Sequence, residues 1–358
     1  MTLVELLVVI AIIAVLLAML LPAIDLVRAR AQSAQCLSRL RGVAQAMLVY
    51  TSENDGWLPG SPSTSGRHLW TTSSAETYRS AGYAPDNVPA GAIELFDYIA
   101  PLTSLMNSPL PQTPSGIERL EAYRKLPAFA CPSNDIITAR AFGASVADGP
   151  MLSYCTSTAF MLLPARIPTK LNTTFAGRVT MPTGGSSTDP AHFNFWSSPP
   201  GYQPKLELVG EPSRKVFLAD GARRSRNGCA PQFVYDVESD YTQTLFSDFG
   251  PFFGVTRSYD RRAANDPACG GDGRIFAYRH GTRKARRTSG SYAMNAVFFD
   301  GHAETLNDME SARPDLWLPS GSMIYRNTRL NDTDTAFWPD VWETYLSQTS
   351  QSNPHRVP

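Results

Sequence analysis

From residue 3 to residue 21 every position of the chain is apolar except one, Glu5. A helix rises about 1.5 Å per residue, so this run is long enough to cross a hydrocarbon layer of about 30 Å. Behind it the pattern turns amphipathic. Leu37, Leu40, Val43, Ala44, Met47 and Leu48 recur at three- and four-residue spacing, with Arg28, Arg30, Arg39 and Arg41 on polar faces. That spacing marks a helix with one buried side. Ser52-Glu53-Asn54-Asp55-Gly56 and Pro59 then supply stop signals. The pattern predicts one helix from residue 2 to about residue 51, spanning at first and then clamped to a head. Pro22 removes one backbone hydrogen bond and is expected to bend or break it locally.

Past Gly56 the helical period disappears, and Pro, Gly, Ser and Thr become frequent. Residues 60–66 and 181–190 read as loops. Strand-like runs stand at 215–221, 274–278 and 291–299. The last meets Asp300-Gly301 before His302-Ala303-Glu304-Thr305-Leu306, which predicts a hairpin with a type I′ turn. A short helix is expected at 340–347. The fold class is α+β: a long N-terminal helix, transmembrane and then amphipathic, packed on an antiparallel β-sheet head. The organisation follows as a hydrophobic helix at 1–28, its amphipathic continuation at 29–55, and a β-rich head at 56–358.

With 358 residues, 43% of them hydrophobic and 18% charged, the chain can bury a sizeable core and does not have the composition of a disordered protein. Lys+Arg and Asp+Glu are balanced at 32 each, which argues against a general polyanion binder. The basic run of Arg283, Lys284, Arg286 and Arg287, and the group Arg223, Arg224 and Arg226, therefore read as solvated loops, and nucleic acid is not an expected partner. No H-E-x-x-H, G-x-S-x-G or phosphate-loop pattern is present, so no catalytic residue is assigned and the chain is not expected to be an enzyme. His280, Asp300 and His302 would form a metal triad if the hairpin gathered them. The plainer reading is a turn aspartate with histidines bonded to loop backbone.

Five cysteines suit an oxidising compartment, and the odd number leaves one thiol free or paired between chains. Cys229 and Cys269, both in Gly-containing loops, are the preferred disulfide. Cys131 would pair with Cys155 locally, or with Cys36, which would staple the head to the long helix. The alternative is that all five are buried and reduced. Asp266 and Asp272 flank Cys269-Gly270-Gly271 and are the ligands if that oxygen-rich loop wraps calcium; no other cofactor is expected. Asn172-Thr173-Thr174 and Asn331-Asp332-Thr333 fit the N-glycosylation pattern.

Glu5 needs its own explanation, because a carboxylate in hydrocarbon costs about 2.5–3.5 kcal/mol on insertion scales. The one cation nearby in sequence is the α-amino group of residue 1. Its own amine would serve, and the amine of a neighbouring copy fits as well. A secretory signal peptide would need a basic segment before the run and a small-residue cleavage site after it, whereas Pro22-Ala23-Ile24-Asp25 follows here. The stretch Thr2-Leu3-Val4-Glu5-Leu6-Leu7-Val8-Val9-Ile10-Ala11-Ile12-Ile13-Ala14 resembles the N-terminus of type IV pilins and type II secretion pseudopilins, and Pro22 falls where many members have proline. The resemblance implies a leader removed by a prepilin peptidase and N-methylation of residue 1, here Met1 where the family usually has Phe. Either the numbering is that of the mature protein or the start lies upstream.

Cys36-Leu37, Leu40-Arg41, Tyr50, Asp55-Gly56-Trp57-Leu58-Pro59, Cys131-Pro132-Ser133, Pro212-Ser213-Arg214-Lys215-Val216, Arg279-His280-Gly281 and the segment from Asn295 to Asp300-Gly301-His302 are similar to a large pilin-like family abundant in planctomycete-type bacteria. Here the basic interval between His280 and Asp300 is longer than that family's. The resemblance implies a pilin-like fold, export, and residence in the inner membrane before assembly. The expected function is that of a subunit of an extracellular type IV pilus-like filament. In this homo-oligomer Glu5 pairs with a neighbour's N-terminal amine, and the assembly machinery is a partner. The alternatives are a pseudopilin of a type II secretion system forming a short periplasmic fibre, and a membrane-anchored surface enzyme or binding protein that never polymerises.

Overall fold

The computed structural model describes residues 3–60, 97–108, 110, 122–134, 137–138, 149–150, 152–161, 196–221, 225–227, 230–232, 247–248, 250–251, 257–258, 276–281, 292–324 and 353–358. The expected loops at 61–66 and 181–190, the helix at 340–347 and both glycosylation motifs lie outside them.

The first element is one helix, α1 (Leu3–Glu53), of 51 residues, or about 77 Å at the usual rise. Contrary to the expected break, it runs unbroken through Pro22. Proline removes a single bond to the carbonyl four residues back, and continuous turns on both sides keep the ladder in register. Its end follows the sequence. Asp55 (φ 51°) and Gly56 (φ 79°) adopt left-handed backbone, and the Gly56 N–H donates to the Thr51 carbonyl at 2.8 Å. This is a Schellman-type closure with aspartate in the place glycine usually takes.

Residues 3–31 of α1 are all exposed. From there the amphipathic face engages the head. Cys36, Leu40, Val43, Ala44, Ala46, Met47 and Thr51 are buried, and Leu37 and Leu48 are partly so. Polar groups fix the register of that contact. The Asn295 Nδ2 donates to the Ser33 carbonyl at 3.1 Å, the Arg41 guanidinium to the Ala303 carbonyl at 3.0 Å, and Arg39 to the Ala130 carbonyl.

The head is built on a sheet of six strands: β1 (Tyr154–Ser157), β2 (Val216–Asp220), β3 (Ser247–Asp248), β4 (His280–Gly281), β5 (Tyr292–Phe298) and β6 (Ala303–Asn307). β6 lines one edge of β5 antiparallel, from Ala293↔Asn307 to Val297↔Ala303. The opposite edge is shared. β4 pairs with the start of β5, His280↔Ala293, and β2 with its end, Ala296↔Ala219. β1 continues antiparallel beside β2, and only the outermost pair, β1 with β3, is parallel. The expected antiparallel sheet is thus present with one parallel edge. Of the run read as a strand at 274–278, the described residues include the strand Phe276–Ala277, paired in parallel with Arg257–Ser258. A small separate sheet joins Met323–Ile324 to Trp196–Ser197 and His355–Arg356.

The β5–β6 hairpin forms where Asp300-Gly301 predicts it, but not through a type I′ turn. Gly301 alone has positive φ, +91°. Its N–H donates to the Phe298 carbonyl at 3.0 Å, and the Phe298 N–H donates to the His302 carbonyl at 2.9 Å. This is a three-residue loop, a type I turn followed by a left-handed residue. A two-residue turn would put Phe299 on another face. Instead Phe299 is fully buried, with its ring 4.9 Å from Phe160 and 5.3 Å from Phe217.

Lys215, immediately before β2, is also buried. Its Nζ donates to the Asp315 carbonyl at 2.8 Å and the Pro358 carbonyl at 3.1 Å. Burial pulls this amine down to about 8 from its ordinary 10.5, against the attraction of Asp315. Between those values the unfolded chain holds the proton more tightly than the folded one, so folding stability rises with pH. The gain across the interval is on the order of 3 kcal/mol, from 1.36 kcal/mol per pH unit. Urea denaturation of wild type and Lys215→Met at pH 7.5 and 10.5 is expected to show that gain as the difference between the two pH dependences, since His280, whose raised value works in the opposite sense, titrates in both proteins. Equal pH slopes for the two proteins would refute it.

Candidate metal centre

β4 and β2 share one edge of β5 and leave a gap between them, opposite Met294 and Asn295. No ladder carbonyl meets the Asn295 N–H there. It donates instead to the carboxylate of Asp220, Oδ2, at 2.7 Å. Asp220 is the last residue of β2, and His280 is the first of β4. The gap therefore brings them together, with His280 Nε2 3.1 Å from Asp220 Oδ2. Arg279 reaches the other oxygen, Oδ1, at 3.4 Å. It also donates to the Ser153 and Gly221 carbonyls at 2.9 Å each.

Two thiols close the group. Cys36 enters from α1; its Sγ donates to Asp220 Oδ1 at 3.4 Å and lies 3.2 Å from the Tyr154 hydroxyl. Cys131 enters from the loop after a short 3-10 turn (Pro127–Phe129), and its Sγ is 3.7 Å from His280 Nε2. The bond from Arg39 to Ala130 ties this loop to α1 beside Cys131. The four donor atoms of Cys36, Cys131, Asp220 and His280 all lie within 4.8 Å of one another, and all four residues are buried.

Charges in this space support one another. Burial pushes the Asp220 carboxyl up, but the His280 charge and hydrogen bond, Arg279 and the Asn295 N–H together hold it below its usual range. Burial pulls His280 down; the Asp220 charge and hydrogen bond, with Cys131, overcome this and raise it to about 9. Cys131 is lowered chiefly by its hydrogen bond with Cys36, against burial and Asp220, with help from His280 and Arg279. Burial drives the Cys36 thiol far up, and Cys131 and Asp220 push it further. At neutral pH the group thus holds two anions, Asp220 and Cys131, and two cations, His280 and Arg279, around a neutral thiol.

No protein-family model, no curated protein and no solved structure matches the chain. The pilin resemblance accordingly stands on the residues quoted for it.

Of the residues singled out in the sequence, Glu5 lies on the exposed part of α1. Met1, Cys229, Cys269, Asp266 and Asp272 fall outside the described residues, so the preferred disulfide and the calcium loop do as well. Cys36, Cys131 and Cys155 are buried and are not in disulfides. Cys131 lies beside Cys36 but is not joined to it, so neither disulfide read for Cys131, with Cys155 or with Cys36, is formed; Cys155 sits in β1 outside the four-residue group. The triad of His280, Asp300 and His302 does not assemble. β4 pairs with the start of β5 and the turn lies at its far end, roughly 20 Å away at 3.3 Å per residue. Asp300 and His302 instead bond each other at 2.6 Å on the surface, with the His302 ring stacked on Phe298.

Asp220 carried no functional sign in the sequence, and the four-way convergence was not foreseen. The available signal was indirect. Cys36, Cys131 and His280 all stand in segments that carry the family likeness, and a Cys36–Cys131 pairing is one of the two that the sequence offers for Cys131.

Proposed function

We propose that this chain is a membrane-anchored, pilin-like structural subunit that polymerises through its N-terminal helix. The observation that carries the reading is the state of α1 before the head takes hold. Its most apolar stretch is long enough to cross a membrane, and none of that stretch is buried. Leu3, Leu7, Ile10, Leu17, Leu21 and Val27 are all more than half exposed. A helix apolar all round needs lipid or other helices about it. In this reading lipid covers it first and copies of itself cover it later. Glu5 is the assembly device: its cost in hydrocarbon is relieved when a neighbour's N-terminal amine arrives, which favours polymer over monomer and sets the axial register.

The test is Glu5→Ala in cells that express the chain. The variant is expected to accumulate normally in the membrane fraction and to yield no sheared filaments under electron cryo-microscopy. Filaments at wild-type abundance from this variant would refute the role of Glu5.

A further inference from the structure

We propose that Cys36, Cys131, His280 and Asp220 form a tetrahedral zinc site that pins the long helix to the sheet. The donor set of two thiols, one imidazole and one carboxylate is of the kind zinc takes in closed, four-coordinate sites, and unlike the all-oxygen set of calcium or magnesium. Zinc distances of about 2.0–2.3 Å imply ligand-to-ligand edges of about 3.3–3.8 Å in a tetrahedron. The observed separations are 3.1 Å from His280 Nε2 to Asp220 Oδ2, 3.4 Å from Cys36 Sγ to Asp220 Oδ1 and 3.7 Å from Cys131 Sγ to His280 Nε2, and one donor atom from each of the four residues lies within 4.8 Å of the others. Small side-chain adjustments complete the cage.

The surroundings fit a metal as well as the ligands do. Outer partners orient the first shell, as they do in metal sites generally. The Asn295 N–H and Arg279 hold the Asp220 carboxylate, and the Tyr154 hydroxyl holds the Cys36 sulfur. Zinc binds cysteine as thiolate and histidine as neutral imidazole, so loading expels the protons that Cys36, Cys131 and His280 hold. Two thiolates, the Asp220 carboxylate and Arg279 then surround the dication, and the loaded site is neutral by formal charge, which keeps an uncompensated charge out of a buried space. The four ligands come from four separate places in the chain: α1, the loop after Phe129, the end of β2 and the start of β4. Metal binding would therefore couple the helix directly to the sheet.

The experiment uses the full chain in detergent, purified with reductant, stripped with chelator and reloaded with zinc or cobalt. Elemental analysis is expected to find one zinc per chain. Cobalt is expected to give tetrahedral d–d absorption together with a thiolate-to-cobalt charge-transfer band. Cys36→Ser and His280→Ala are expected to bind zinc at least about 100-fold more weakly, beyond the 10–100-fold typical of outer-shell changes. Cys155→Ala should bind it unchanged. If the ligand variants do not fold, the cobalt spectrum of the wild type decides by itself. Folded wild type that retains no metal would overturn the proposal, as would a cobalt spectrum without the thiolate band. A Cys36–Cys131 disulfide found by mass spectrometry in protein isolated without reductant would overturn it too.

Discussion

Metal-free Asp220→Ala protein is expected to be less stable than wild type by about 3–5 kcal/mol, the range for removing one partner of a buried ion pair. Asp220 is fully buried, and its two oxygens face His280 at 3.1 Å and Arg279 at 3.4 Å. Removing the carboxylate leaves two cations, His280 and Arg279, beside the single anion of Cys131. His280 can shed its proton and relieve its share, but a guanidinium stays charged at any ordinary pH. Arg279 therefore sets most of the loss. The Asn295 N–H, which has the carboxylate in place of a ladder carbonyl, loses its acceptor as well. Urea denaturation in the presence of chelator measures the effect. Arg279→Met in the same background should recover part of the loss, because the stranded charge goes with it. A loss below 1 kcal/mol for the single variant would contradict this account.

Trp317→Ala is expected to destabilise by a similar amount, about 3–5 kcal/mol, through a different cause: the cavity left by a large buried ring. Trp317 has no exposed surface. Its ring meets Phe276 edge-on at 4.9 Å, and its Nε1 donates to the Ser311 carbonyl at 2.8 Å. Gly250 closes over it in left-handed backbone (φ +127°). A Cβ there would stand 2.7 Å from the Trp317 Cγ, so the site admits only glycine. Phenylalanine at 317 should lose less, since it refills most of the volume and forfeits mainly the Ser311 bond. Thermal unfolding of the three proteins is expected to rank wild type, Trp317→Phe, Trp317→Ala. Equal midpoints for wild type and Trp317→Ala would refute the packing argument.

What was legible in the sequence was what depends on near neighbours. The three- and four-residue spacing through Leu40, Val43, Ala44 and Met47 located the buried face of α1, and Asn54-Asp55-Gly56 located its end, because both are local matters of side-chain period and left-handed backbone. Strand β5 and its hairpin partner were equally visible. The turn type was not, since Asp-Gly suits both a two-residue and a three-residue loop, and the burial of Phe299 selects the second. The cluster was hidden for a geometric reason. Cys36, Cys131, Asp220 and His280 share no short spacing, and the gap in the β5 edge that gathers them comes from tertiary strand pairing. Pro22 shows the converse: of the bend or break that proline signals there, the break is absent, because one lost hydrogen bond does not enforce it.

The docking of α1 also dictates an order of events during synthesis. Its first turns inside the head bond to residues far downstream: Cys36 to Asp220, Ser33 to Asn295, Arg41 to Ala303. These are high-contact-order pairings, slow to close because the chain between them must be ordered first. The ribosome delivers residues 33–51 early, yet until β5 and β6 exist their apolar side has only the earlier segments Ile99–Thr103 and Pro127–Phe129 to lie against. Over most of translation that side is incompletely covered, which is the kind of surface that draws chaperones or aggregates. A nascent chain stalled before residue 292 should still carry that sticky helix, and one extended past residue 307 should have put it away.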